Sequence, residues 1–174
     1  MKKIGNVKIL HTDDNDPDLS RLGEYTDRLT TGIIVRYFDK FYEDLSDDEL
    51  ENIPERSNEY RGFKPSTDSN DPKDKDYKKY SLQNYHRMED INNGNVGFIG
   101  ISVKAEILTW SDSKNWLINE ISSGGLWGIE SDGGAEYLKE IEQEEISELK
   151  DVLKEYGFSD AEIEKAFENI QEVD

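Results

Sequence analysis

The 174-residue chain contains no cysteine and two histidines, and this narrows the chemistry open to it. Without thiols it cannot form disulfides, build a thiolate zinc site or use a cysteine nucleophile. The absence of cysteine fits a reducing cytoplasm. With so few histidines, a transition-metal enzyme is disfavoured as well.

The sequence also lacks an apolar run long enough to span a membrane, and its N-terminus, MKKIGNVKIL, lacks the apolar core and cleavage site of a signal peptide. Basic residues are scarce: 21 stand against 40 acidic ones, and the net charge is −19. Direct nucleic-acid binding is therefore not expected, because phosphate contacts require clustered Lys and Arg. The same imbalance predicts a basic partner.

The acidic residues are concentrated in two zones. Residues 11–60 contain 15 acids and 5 bases, and residues 130–174 contain 16 acids and 4 bases. The stretch 61–110 between them is nearly neutral, with 7 acids and 8 bases. Three Trp, nine Tyr and six Phe predict a folded chain despite the high charge, because aromatic side chains bury large areas.

The patterning predicts one α+β domain over residues 1–174: an antiparallel sheet of about four to five strands with three or four helices, the C-terminal ones acidic outside. Acidic loops are expected near 11–28 and 65–75. The segments with strand composition or alternation are 2–10, 31–38, 58–64, 96–110, 115–121 and 125–129. We expect the last three to form an antiparallel meander with Gly124 and Gly125 at a corner or bulge.

Helices are predicted over 42–53, 76–92, 135–156 and 160–172. Ser46 and Glu49 have the spacing of a capping box, and Pro54 ends the helix that they begin. Gly157 is a stop signal, and Ser159 is an N-cap for the last helix.

The helix predicted over 135–156 has two contrasting faces. Its apolar residues follow a 3.6-residue period: Ala135, Leu138, Ile141, Ile146, Leu149, Val152, Leu153 and Tyr156. Carboxylates recur every four residues on another face at Glu136, Glu140, Glu144 and Glu148, and Asp151 and Glu155 continue the series.

A line of carboxylates on a folded surface can imitate a phosphate backbone. Successive charges at this spacing lie roughly 6 Å apart along the helix axis. Duplex DNA carries one charge per roughly 1.7 Å, so a single helix is sparser than a duplex and the zone 11–60 is a candidate second edge. The alternative is a solvated face that serves stability and solubility. The predicted partner-binding residues are Glu136, Glu140, Glu144, Glu148, Asp151, Glu155, Asp47, Asp48, Glu49 and Trp127.

No catalytic, cofactor or metal site is predicted. The sequence has no Gly-x-Ser-x-Gly elbow and no His-Glu-x-x-His pattern. Its glycine clusters lack phosphate-loop spacing, so we interpret them as turn and packing residues. The Asp-rich stretches 13–18 and 68–76 suggest calcium, but they lack the glycine and terminal glutamate of an EF-hand loop.

Several strings resemble a group of small acidic proteins carried by phages and integrated mobile elements. The strings are Ser123–Asp132 (SGGLWGIESD), Tyr137–Glu140, Leu149–Lys150 with Leu153 and Gly157–Phe158, Leu22–Tyr25 and Tyr85–Glu89. The resemblance covers most of the chain. It implies an accessory protein of a mobile element that acts in the cytoplasm of a bacterial host, and by analogy a DNA mimic that blocks restriction or CRISPR nucleases.

The leading hypothesis is a non-enzymatic inhibitor whose carboxylates occupy the basic nucleic-acid-binding cleft of a host defence nuclease, an anti-CRISPR or anti-restriction role. One alternative is a phage adaptor or assembly protein that binds its partner outside any nucleic-acid site. Another alternative is a small divalent-ion-dependent enzyme that uses the Asp-rich loops.

Overall fold

A computed structural model describes residues 1–55, 59–66, 76–111 and 114–173. The fold is α+β, as predicted from the sequence. In chain order the elements are β1 (Lys2–Asp13), β2 (Gly23–Thr26), β3 (Ile34–Val35), β4 (Lys40–Phe41), a 3₁₀ turn (Tyr42–Asp44), α1 (Asp47–Glu51), β5 (Gly62–Pro65), α2 (Tyr77–Asn92), β6 (Phe98–Trp110), β7 (Trp116–Ser122), β8 (Leu126–Glu130), α3 (Ala135–Glu155), α4 (Asp160–Phe167) and β9 (Gln171–Val173).

The chain divides into two compact units, and we describe each by itself. The first unit comprises Met1–Pro17 and Val96–Asp174, and the second comprises Asp18–Asn95. The expectation of a single domain over 1–174 stays a prediction.

A five-stranded sheet forms the centre of the first unit, with strand order β7-β6-β1-β9 and β8 paired to β6. The long strand β6, which the sequence predicted over 96–110, lies between β1 on one side and β7 and β8 on the other, and it buries Ile101, Val103 and Ala105 completely. Helix α3 packs Leu149 and Leu153 against this face of the sheet.

The expected meander of the last three strands is wrong. Strands β7 and β8 do not pair with each other: both pair antiparallel with β6, along the edge opposite β1. They form one interrupted strand, because three residues separate Ser122 from Leu126 where two separate Lys104 from Ile101. The extra residue is a bulge at the Gly124–Gly125 pair, where the sequence predicted a corner or bulge.

The C-terminal helix is shorter than predicted. Helix α4 ends at Phe167, and Gln171–Val173 forms β9, which pairs in parallel with Lys8–Leu10 of β1. The sheet edge therefore overrides the local helical pattern, since free N–H and C=O groups of β1 pair with these residues. Gly157 ends α3 with a φ of 83°, as predicted.

The second unit contains a separate four-stranded antiparallel sheet, with order β2-β5-β3-β4. The sequence did not predict a second sheet. The strand expected over 31–38 is reduced to Ile34–Val35, because the chain turns at Gly32 (φ 84°) and Asp39 (φ 52°) on either side. The strand expected over 58–64 is observed as β5, at Gly62–Pro65.

The two acidic loops expected from the sequence differ in how much of each the structure describes as irregular. The loop expected over 11–28 contains the end of β1 at Asp13 and all of β2, so it is irregular only over 14–22 and 27–28. Most of the loop expected over 65–75, from residue 67 onward, lies outside the described residues. Helix α2 matches its prediction and buries Tyr85 and Met88 against Phe63.

Both capping signals are confirmed. The side chain of Ser46 accepts from the backbone N–H of Glu49, and Ser159 accepts from that of Glu162; both boxes are reciprocal. Helix α1 is nevertheless shorter than the predicted 42–53, because its first turn is replaced by the 3₁₀ turn.

Substitution Ser159→Ala should lower the free energy of unfolding by about 1 kcal/mol, because a helix N-cap side chain satisfies an otherwise unpaired N–H. Ser147→Ala is the matched control, since Ser147 is an exposed residue inside α3. Urea unfolding of the two variants measures the difference. Equal midpoints for both would contradict the role of the cap.

Candidate functional site

The exposed side of α3 carries six acidic residues, which we call the carboxylate face: Glu136, Glu140, Glu144, Glu148, Asp151 and Glu155. All six side chains are exposed. At about 100° per residue they fall within an arc of roughly 120°. The buried side, with Leu149 and Leu153, lies across the helix from them, and Ile141 lies at the border of the two sides. The structure therefore brings together the six residues that the sequence grouped by spacing.

Four of the six carboxylates are free for an external partner. Glu136, Glu140, Glu144 and Glu155 make no hydrogen bond or ion pair with another residue in the described ranges. Asp151 lies 3.7 Å from the ammonium of Lys154, which is a weak exposed contact. The free carboxylates extend over about 28 Å of helix length.

Glu148 differs from its neighbours because part of its carboxylate is used inside the protein. Its Oε1 atom accepts a hydrogen bond of 2.9 Å from the backbone N–H of Gly124. One turn earlier, Oε2 of Glu145 accepts one of 3.0 Å from the N–H of Gly125. The two glutamates thus bind the two N–H groups of the bulge between β7 and β8.

Two α3 glutamates point inward, which the sequence analysis missed. Glu142 and Glu145 are 8% and 7% exposed. Glu142 contacts Nε2 of His11 at 2.9 Å, and Glu145 binds the bulge. The available signal was helical position, since 142 and 145 project on the same side as Leu138 and Leu149.

A bulge leaves backbone N–H groups of the strand without acceptors on the neighbouring strand. Here carboxylate side chains accept hydrogen bonds from these N–H groups. Besides Gly124 and Gly125, the N–H of Gly128 donates to Oδ2 of Asp14 at 3.0 Å. Gly125 and Gly128 have φ values of 78° and 74°, a conformation that favours glycine. The glycines are therefore turn and packing residues whose N–H groups are anchored by carboxylates.

Trp127 lies on the surface beside this bulge and is 53% exposed. Its ring lies over Gly100, where an added Cβ would come within 2.3 Å of the indole. Gly100 thus creates the space in which an aromatic side chain rests against the sheet. Trp127 presents its other side to solvent, as an anchor for a protein partner would.

The three predicted partner-binding residues of the second unit differ in how exposed their side chains are. Asp47 and Asp48 are exposed in the first turn of α1. Glu49 is only partly exposed: it contacts Lys40 at 2.6 Å and closes the capping box with Ser46. The Lys40 ammonium, with the Ser46 N–H, lowers the pKa of the Glu49 carboxyl below its usual value. Its carboxylate is already used within the unit.

The second unit also contains a partly buried polar cluster around Arg36. The guanidinium binds both carboxylate oxygens of Glu89 at 2.9 Å and lies 4.5 Å from the ring of Tyr25. The Tyr25 hydroxyl donates to Glu89 at 2.7 Å. Burial raises the pKa of Tyr25, and the contact with Glu89 adds to the rise. Because the members satisfy one another, the cluster holds β2, β3 and α2 together.

An open pocket of about 660 Å³ also lies in the second unit. It is lined by Glu24, Arg28, Lys64 and Tyr77 together with threonine side chains. Lys64 and Glu24 already contact each other at 3.1 Å. The pocket therefore lacks a convergent set of charges for one kind of ligand.

Within the described ranges, no group of three or more His, Asp or Glu side chains is placed to hold a metal ion. The Asp-rich stretch at 68–75 lies outside those ranges. No helix in the described part of the chain has both the length and the apolar character to cross a membrane.

No protein-family model, curated protein or solved structure matches the chain. The candidate site is therefore defined by its own geometry, as the carboxylate face alone. Trp127 packs on Gly100, an even-numbered position of β6, whereas α3 packs on the odd-numbered Ile101, Val103 and Ala105, so the two lie on opposite faces of the sheet.

The inward and outward glutamates of α3 should differ in their effect on stability. Glu145→Ala leaves the Gly125 N–H of a partly buried bulge without its acceptor, so we expect a loss of about 1.5–3 kcal/mol in unfolding free energy. Glu144→Ala, the same change one residue away on the exposed side, should stay within about 0.5 kcal/mol of the parent chain.

Urea unfolding monitored by circular dichroism measures both values. Equal losses for the two variants would show that the hydrogen bond from Gly125 does not support the fold.

Proposed function

We propose that the protein is a non-enzymatic acidic inhibitor that mimics nucleic acid and occupies the basic nucleic-acid-binding cleft of a host defence nuclease. Its place of action would be the cytoplasm of a bacterial host. The observation that carries the proposal is a row of four carboxylates that have no partner among the described residues: Glu136, Glu140, Glu144 and Glu155.

Unpaired carboxylates are suited to this role because no internal ion pair has to break when they bind. A groove lined by Lys and Arg would supply charge-assisted hydrogen bonds to each of them. The six charges of the carboxylate face lie roughly 6 Å apart along the helix axis, which is wider than the roughly 3.4 Å per phosphate of one DNA strand. The helix therefore reproduces the sign and linear arrangement of a strand at a lower charge density.

The charge of the first unit supports the same proposal. This unit contains 22 acidic and 9 basic residues, a net charge of −13, while the second unit contains 18 and 12, a net charge of −6. A surface of this sign speeds encounter with a basic cleft and repels nucleic acid. The attraction should weaken with salt, because the Debye length is about 8 Å at physiological ionic strength.

The carboxylate face is held in a fixed position before binding. The helix is anchored to the sheet by Ile141, Leu149 and Leu153, and Glu145 and Glu148 bind the bulge. A rigid helix loses little conformational entropy on association, so more of the electrostatic attraction contributes to affinity.

An adaptor role is the second candidate, and one observation favours it. Leu126 and Trp127 are 41% and 53% exposed on neighbouring positions of β8. Apolar and aromatic side chains of this kind are typical of protein interfaces outside nucleic-acid clefts. In this role the partner would bind DNA and the protein together.

The two candidates are separated by a quadruple variant: Glu136→Gln, Glu140→Gln, Glu144→Gln and Glu155→Gln. If the carboxylate face is the contact, affinity for the nuclease should fall by about fourfold to a thousandfold, since each of the four exposed charge pairs contributes about 0.2–1 kcal/mol. The measurement is capture from a bacterial lysate, followed by titration of the retained nuclease and competition with a short duplex.

The control is a second quadruple variant with the same net charge: Glu51→Gln, Glu55→Gln, Glu168→Gln and Glu172→Gln. All four positions are exposed and lie outside the carboxylate face. This variant should retain affinity. Equal losses of affinity in both variants would show that net charge, and not the carboxylate face, determines binding. A retained partner that duplex DNA does not displace would favour the adaptor role.

A further inference from the structure

Strand β7 forms one edge of the five-stranded sheet. The C=O of Asn115 accepts from the N–H of Ser111, and the N–H of Ser123 donates to the C=O of Val103. The odd-numbered residues of β7 therefore direct their backbone N–H and C=O groups toward β6. Pairing between β6 and β7 is continuous from Trp110↔Trp116 to Lys104↔Ser122. The even-numbered positions of β7 therefore direct their N–H and C=O groups outward, where no strand of the described chain pairs with them.

This edge lacks the usual protection against pairing. Natural edge strands carry Lys, Pro or a bulge, and β7 has none of these between Trp116 and Ser122. Its one charged residue, Glu120, contacts Lys104 at 2.9 Å. Leu117 and Ile118 are 54% and 66% exposed although they point to opposite faces of the sheet.

The sequence around β7 is complementary to itself when reversed. It reads Lys114-Asn115-Trp116-Leu117-Ile118-Asn119-Glu120. When two copies of this segment run antiparallel with Leu117 at the centre, Lys114 lies opposite Glu120, Asn115 opposite Asn119, and Trp116 opposite Ile118. We propose that a second copy of the chain pairs with this edge, β7 to β7 and antiparallel, with Leu117 on the two-fold axis.

The direction of the backbone groups restricts the possible registers. The outward N–H and C=O groups of the two copies meet only when even-numbered residues of one strand lie opposite even-numbered residues of the other. The two-fold axis must then pass through a residue of β7, and the possible registers differ in which residue that is. An axis at Ile118 places Glu120 opposite Trp116, and an axis at Trp116 places Lys114 opposite Ile118. Of these three, only the Leu117 axis pairs Lys114 with Glu120 twice and keeps apolar side chains opposite each other.

Lys114 is available for such a contact. Its side chain makes no hydrogen bond or ion pair with another residue in the described ranges. It lies in the turn before β7, with a φ of 58°, so its long side chain and not its backbone would reach the second copy. The net charge of the unit opposes association, and the two Lys114–Glu120 contacts place opposite charges where the copies meet.

The apolar surface continues beyond the strand itself. On the face shared by Ile118, the rings of Trp110 and Trp116 lie 5.2 Å apart at a steep angle, and the ammonium of Lys3 lies over Trp116 at 4.8 Å. Two paired seven-residue strands bury less surface than a standard interface, which buries about 1,600 Å². We therefore expect a dimer that forms at micromolar and higher concentrations.

Cysteine crosslinking of the full-length protein tests the register, because the chain has no cysteine of its own. Leu117 would form a non-hydrogen-bonded pair with its copy, with Cα atoms about 4.5 Å apart, which suits a disulfide. Leu117→Cys should therefore give a covalent dimer under mild oxidation at 100 μM protein. Asn119→Cys is the matched control, since the two copies of this residue would lie roughly 13 Å apart.

A charge exchange tests the same pairing without a covalent bond. Lys114→Glu and Glu120→Lys should each weaken the dimer about fivefold, because like charges face each other. The double variant should return to within about twofold of the parent chain. Sedimentation velocity from 5 to 500 μM measures the dissociation constants, and unchanged thermal unfolding shows that each variant folds.

Three outcomes would overturn the proposal. The first is a parent chain that remains monomeric across the concentration range. The second is faster crosslinking of Ile118→Cys than of Leu117→Cys, which would indicate a different axis. The third is a double charge variant that stays as weak as the single ones.

Discussion

The hydrogen bonds from the N–H groups of Gly124 and Gly125 to Glu148 and Glu145 connect helix α3 to the bulge between β7 and β8. The bulge interrupts the strand opposite β6, and two carboxylates of α3 take the place of the missing ladder partners. The helix is thereby tied to the sheet by polar contacts at one side and by Leu149 and Leu153 at the centre. Its rotation about its own axis is then fixed, and this rotation decides which glutamates face solvent.

The same constraint separates the glutamates of one helix into two groups. Glu142 and Glu145 face His11 and the bulge, where they stabilise the fold. Glu136, Glu140, Glu144 and Glu155 face outward with no partner among the described residues. We interpret the first group as structural and the second as the binding surface. The bulge also divides the outer strand into β7, an unprotected edge, and β8, which presents Trp127.

Local signals in the sequence predicted the elements of the first unit well. The alternation over 96–110, the helical period over 135–156 and the stop at Gly157 each depend on neighbouring residues, and the structure confirms them. Signals failed where a distant partner decides the outcome. Residues 171 and 172 belong to the predicted last helix but pair with β1. Over 31–38 the failure was local instead, because the chain turns at Gly32 and Asp39 on either side of a two-residue strand. The carboxylate face was found because its spacing is local. The inward roles of Glu142 and Glu145 were missed because they depend on His11 and Gly125, far away in the sequence.

We propose that the outward carboxylates of α3 contact basic side chains of a nuclease. Zero-length carbodiimide crosslinking of the captured complex, followed by mass spectrometry of the joined peptides, tests it directly. The account predicts amide bonds from Glu136, Glu140, Glu144 or Glu155 to lysines of the nucleic-acid cleft. Crosslinks confined to other acidic residues, or to lysines outside that cleft, would contradict it.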